Sequence, residues 1–179
     1  MSSPCDPEYA PVGDIDAALL VIDSQLKAVY NGRSGPDPEQ EQMVNQLTAS
    51  LGPGGVEALV DGACTLIYMF MSWLRAACEE QDEDVIAHVV PSLVASMRMM
   101  PMSFRPEVIP TMTGLVVAAG TGLSPNLWRA QYGEWTGAEM TPLEATAVLL
   151  ADHINRLAGD DHDFATRLIT DALSRADQD

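Results

Sequence analysis

The chain has 179 residues, enough for one well-buried domain and short for two. Nine basic residues face 26 acidic ones, a formal net charge of −17 with a pI near 4.2. Such a surface repels phosphate backbones and anionic lipid, which excludes nucleic acid and membrane surfaces and leaves basic proteins, cations or neutral molecules as partners. A hydrophobic share of 47% is that of a chain that folds. Only Lys27 among the nine basic residues is lysine, a usage that goes with GC-rich bacterial genomes.

Residues 1–13 are expected to be a flexible N-terminal tail, rich in Pro, Ser and acids and lacking the basic and apolar regions of a secretory signal. A cytoplasmic location follows as an expectation. Residues 14–176 are expected to form a single all-α domain, about eight helices packed around one central buried helix. Asp14 begins the first helix, whose stripe is Ile15, Leu19, Ile22, Leu26 and Val29, and Asn31-Gly32 ends it. Asp37-Pro38-Glu39-Gln40 opens the second, with Met43, Val44, Leu47 and Leu51 as its apolar side and Gly52-Pro53 as its stop.

The third helix is predicted from Gly55 to Glu79. Its polar residues fall on one line at helical spacing: Glu57, Asp61, Thr65, Tyr68, Ser72, Arg75 and Glu79. Apart from Gly62 the remainder is apolar or small, the pattern of a buried helix. The uncharged run Gly62–Leu74 is shorter than the ~20 residues needed to cross a bilayer, so a core helix is expected and no membrane span. Cys64 and Cys78 on this helix would stand about 21 Å apart, too far for a disulfide. With Cys5 they make an odd count, which argues against a disulfide framework.

Asp82-Glu83-Asp84 opens the fourth helix, with Ile86, Val89 or Val90, Leu93, Met97 and Met100 facing inward. Pro91 is expected to kink or divide it, and Pro101 to end it. The segment from Thr111 to Gly122 is assigned as helix because no strand partner exists for Val116-Val117. Gly114, Ala118 and Gly122, four apart, would allow another helix to approach. Ser124-Pro125 begins a short helix carrying Trp128, Tyr132 and Trp135 on one side. Thr141-Pro142-Leu143-Glu144 is read as the next start, followed by Leu143, Ala147, Leu150, Ile154 and Leu157. Gly159 stops that helix. Asp160 or Asp161 caps the last one, expected to be buried through Phe164, Leu168 and Ala172.

Half of the 26 acids fall at predicted helix starts, where they complement the helix dipole. The shortage of basic residues has no such explanation. No metal site or cofactor is expected. Asp84 and His88 share one helix face, Asp152 and His153 lie on another, and the acidic run around His162 has no calcium-loop spacing. No paired Glu-x-x-His, His-Glu-x-x-His or Cys-x-x-Cys occurs. Neither a Gly-x-Ser-x-Gly elbow nor a phosphate loop is present, so the expectation leans against an enzyme, and one using Asp84, His88, Asp152 or His153 with a metal ranks third.

The run Met97–Met102 holds four methionines, which serve first as core filler and second as an adaptable contact surface. The candidate contact residues are Trp128, Tyr132 and Trp135, with Met97, Met100, Met102 and Trp73. The expected function is a non-enzymatic acidic protein that binds another protein, a basic partner or a second copy of itself. The alternative is a binder of an apolar small molecule in a pocket lined by Trp and Met.

Overall fold

The computed structural model describes residues 12–32, 38–50 and 54–178. Among them lie eight helices: α1 (Val12–Tyr30), α2 (Pro38–Ser50), α3 (Gly55–Glu79), α4 (Val85–Arg98), α5 (Ile109–Gly120), α6 (Pro125–Ala130), α7 (Gly137–Leu157) and α8 (Phe164–Ala176). Seven are long and α6 has six residues. No strand occurs among the described residues. Of the tail expected over residues 1–13, residues 1–11, with Cys5, lie outside them, and Val12 and Gly13 belong to α1, which starts two residues before Asp14. So do Asp37, Leu51, Gly52 and Pro53 of the second helix's predicted ends, and the side chains of Val44 and Leu47.

α3 is the central element and touches each of the other seven helices. Leu66, Ile67, Phe70, Met71 and Leu74 are fully buried. The predicted polar edge is exposed at Glu57, Asp61, Ser72, Arg75 and Glu79. Thr65 alone on that line is buried, and its Oγ1 donates to the Asp61 carbonyl at 2.8 Å. By length and composition α3 could cross a bilayer, but 67% of its apolar window is buried against other helices. Cys64 and Cys78 are both buried thiols on it.

α1 makes the most extensive contact with α3 and also packs on α7. Gly62 allows that approach: a Cβ there would stand 2.3 Å from the Asp14 carbonyl oxygen and 2.8 Å from the Ala18 Cβ. Ile15, Leu19, Ile22 and Leu26 are buried as the spacing predicts. Val29, expected in the same stripe, is 57% exposed.

Proline did not divide α4. Pro91 sits within a helix continuous from Val85 to Arg98, and its side chain is exposed. The carbonyl deprived of a bond belongs to Ala87, which faces solvent and can be hydrated there. Asp84 caps the helix by accepting from the Ile86 N–H at 2.8 Å. Val85, Val89, Leu93 and Met97 form its buried line.

α7 starts one turn earlier than predicted. Its cap is Thr136, and Pro142 is the sixth helical residue. Glu144 therefore lies inside the helix and accepts from Gln25 Nε2 at 3.1 Å; burial pushes its carboxyl up. Leu143, Ala147, Leu150 and Ile154 are buried, and Leu157 is exposed. Gly159 follows with φ +80°. α8 begins after Asp163 and not after Asp160 or Asp161. Its buried line is Ala165, Ile169 and Leu173, one residue on from the predicted Phe164, Leu168 and Ala172, which are half-buried.

Candidate binding groove and its polar cluster

Three helices leave a groove of about 440 Å³ between them: the end of α1, the outer half of α4 and the second half of α7. Its walls are Val29 from α1, Met99 and Met100 just past the end of α4, and Leu149 from α7. Ser92, Ala95 and Ser96 on α4 are small, which keeps that wall low. Val29 is 57% exposed and Met99 82%, so large apolar side chains stand at the rim.

One end of the groove is polar. Asp152 and Arg156 line it and pair at 2.8 Å. The Tyr30 hydroxyl donates to Asp152 at 2.9 Å and accepts from Asn155 Nδ2 at 3.0 Å. Asn155 is buried; it also donates to the His162 carbonyl and accepts from the Ala165 N–H at 2.7 Å. His162 stacks on the Tyr30 ring at 3.8 Å. Burial is the main reason the Tyr30 phenol is pushed up to about 12. The network ties α1, α7 and the start of α8 together behind the groove.

His153 lines the groove, and its buried Nε2 has no hydrogen-bond partner among the described residues. The His88 ring stands edge-on to it at 5.6 Å. Burial first, then the neighbouring His88 and Arg156, hold His153 below the usual histidine range, against the pull of Asp152. A histidine depressed in the fold takes its proton first in the unfolded chain. Its contribution to stability is therefore full above the unfolded value near 6.5 and lost as pH falls below it. Between about pH 7.5 and 5.5, urea midpoints of the wild type should fall more steeply than those of His153→Gln.

Beside this pair, His88 Nδ1 lies 3.3 Å from Glu83 Oε2. Asp84, the carboxylate expected to accompany His88, is occupied as the α4 cap. Asp152 and His153 share the groove, and the structure joins one member of each predicted pair, His88 and His153. The Cys78 thiol lies close to Glu83 and His88 and is pushed up by burial, with Glu83 and Asp84 adding to it.

The aromatic trio is not one helical stripe. α6 ends at Ala130, leaving Tyr132 in the following turn and Trp135 in the loop beyond. Trp128 packs its indole on Gly114, where a Cβ would meet Cη2 at 2.5 Å. The close approach predicted at Gly114 thus admits an indole. Trp128 and Trp135 are half-buried against the core, and Tyr132 is exposed beside Trp128 at 4.9 Å between centroids. Trp128 borders a second groove between α4 and α5, together with Leu123. Met97 is fully buried, Met100 half-buried in the first groove, and Met102 96% exposed. Trp73 is half-buried, edge-on to Phe164 at 5.4 Å.

Arg129 holds this loop. Its Nε and Nη2 donate to both Glu139 oxygens at 3.0 and 2.8 Å, and Nη1 and Nη2 donate to the Gly133 and Glu134 carbonyls at 2.8 Å. Its guanidinium lies over the Trp135 ring at 5.0 Å. Burial pushes the Glu139 carboxyl up, but bonds from Arg129 and Thr136 together with the Arg129 charge outweigh it and hold it low. Sequence reasoning missed this pair, although Thr136-x-x-Glu139 is a capping-box spacing.

Comparison of the chain with protein-family models, with curated proteins and with solved structures gives no match.

Proposed function

We propose that the chain is a non-enzymatic, acidic helical protein whose groove between α1, α4 and α7 receives the apolar face of a basic, amphipathic segment of another protein. The observation that carries this reading is the pair Val29 and Met99, large apolar side chains left exposed on the rim of one groove. Methionine suits such a surface because its unbranched thioether adapts to what it meets. About 440 Å³ accommodates a few large side chains, not a whole helix. Charge supplies the orientation. The turn after α3, with Glu79, Glu80, Asp82, Glu83 and Asp84 all exposed, lies beside His88 and so at the His153 end of the groove. It would meet basic residues flanking the apolar anchor, and the net charge of −17 would draw such a segment in.

A synthetic Leu/Lys amphipathic helix is the probe. Met99→Lys and Leu127→Lys add the same charge at two exposed positions, one on the rim and one on α6. Met99→Lys should weaken binding by tenfold or more, on the order of 1.4 kcal/mol, while Leu127→Lys should change it little. Affinity should fall as salt rises. Equal effects of the two substitutions would refute the groove as the site.

His153 favours a second reading, an apolar small molecule with one polar group bonded to the unpaired Nε2. Under it, such a ligand displaces the peptide from the wild type and not from His153→Ala.

A further inference from the structure

We infer that Cys78, Glu83 and His88 form a zinc-binding site at the corner between α3 and α4. The three side chains offer a sulfur, a carboxylate oxygen and an imidazole nitrogen, all within 4.8 Å of one another. Ligand atoms around a tetrahedral zinc ion, at bonds of about 2.0–2.3 Å, lie roughly 3.3–3.8 Å apart. Contraction by about 1 Å closes the set, a distance within the reach of side-chain rotation.

The turn explains why these three meet. The Glu83 N–H donates to the Cys78 carbonyl at 2.9 Å and the Asp82 N–H to the Glu79 carbonyl at 3.1 Å, with Asp82 at φ +58°. This is a Schellman ending, which folds the chain back on the last turn of α3 and brings residues five apart together. His88, in the second turn of α4, faces the same corner, its Nδ1 3.3 Å from Glu83 Oε2. Glu83 and His88 are partly exposed and give an ion a way in, while Cys78 closes the inner side.

The donor chemistry selects the metal. A thiolate with an imidazole suits zinc, whereas calcium and magnesium want oxygen ligands alone. Binding releases the Cys78 thiol proton to solvent and involves no redox step. Behind His88, the His153 ring stands edge-on at 5.6 Å between centroids and packs against the imidazole that would ligate the ion. An ion here would staple α4 to α3. The site shares Glu83 with the acidic turn beside the groove and does not depend on what the groove receives.

The test uses the full chain, freed of metal by a chelator and titrated with zinc against a chromogenic competitor. Cobalt(II) is used in parallel to read thiolate-to-metal charge-transfer absorption. One tightly held ion per chain is expected, with the cobalt band kept in Cys5→Ser and lost in Cys78→Ser. His88→Gln and Glu83→Gln, at partly exposed positions, should leave the helical dichroism intact and weaken zinc binding at least about tenfold. The inference is overturned by the absence of a tightly held ion, by zinc affinity unchanged in both Gln variants, or by a cobalt band that disappears with Cys5 and not with Cys78.

Discussion

Replacing Arg129 with Ala should lower unfolding stability by about 3–5 kcal/mol, measured by urea denaturation. The side chains of Arg129 and Glu139 are 8% and 11% exposed, so the substitution leaves a carboxylate in the interior with no cation. It also frees the Gly133 and Glu134 carbonyls that shape the loop. The double variant Arg129→Met, Glu139→Leu should recover much of the loss, because the penalty belongs to the orphaned charge more than to the missing attraction. A single variant within about 0.5 kcal/mol of wild type would mean that the pair is solvated.

The second large effect is expected at Gly62. Ala is the better helix former by up to ~1 kcal/mol, so a helix free of neighbours would gain from Gly62→Ala. In this fold the new methyl would stand 2.3 Å from a backbone oxygen of α1, which cannot rotate away as a side chain would. The expected outcome is a loss near the upper end of overpacking costs, about 3 kcal/mol, seen as a lower denaturant midpoint. A gain in stability would show that α1 does not cross α3 there.

α3 was legible from Gly55 to Glu79 because it satisfies two independent patterns, a single polar line and an uninterrupted apolar remainder. α8 was displaced by one residue because Phe164, Leu168, Ala172 and Ala165, Ile169, Leu173 are adjacent apolar lines on one broad stripe. Phe164 drew the assignment to itself, yet it lies at the margin against Trp73. Pro91 did not divide its helix and Pro142 did not begin one. Pro91 and Pro142 both lie in the second turn of their helices, where the carbonyls they deprive, on Ala87 and Ala138, face solvent.

The aromatic trio failed as a stripe because α6 ends at Ala130, before Tyr132, and Gly133, with φ +109°, turns the chain before Trp135. The candidate site was less legible than the fold. His88 and His153 were both noticed, each beside its own carboxylate, but their meeting depends on how α4 packs on α7, which no local pattern encodes. Val29 reads as the last residue of a buried stripe and Met99 as one of a run of four methionines: an apolar residue at a helix end looks the same in sequence whether it is covered or not.

The most direct test of the groove is a backbone-amide NMR footprint of the Leu/Lys peptide on the isotopically labelled chain. The account predicts shifts concentrated at the end of α1, the second half of α4 and α7 from Val148 to Arg156, centred on Met99 and Leu149. Shifts spread evenly over acidic positions of the surface, or gathered around Trp128 and Leu123 in the other groove, would contradict it.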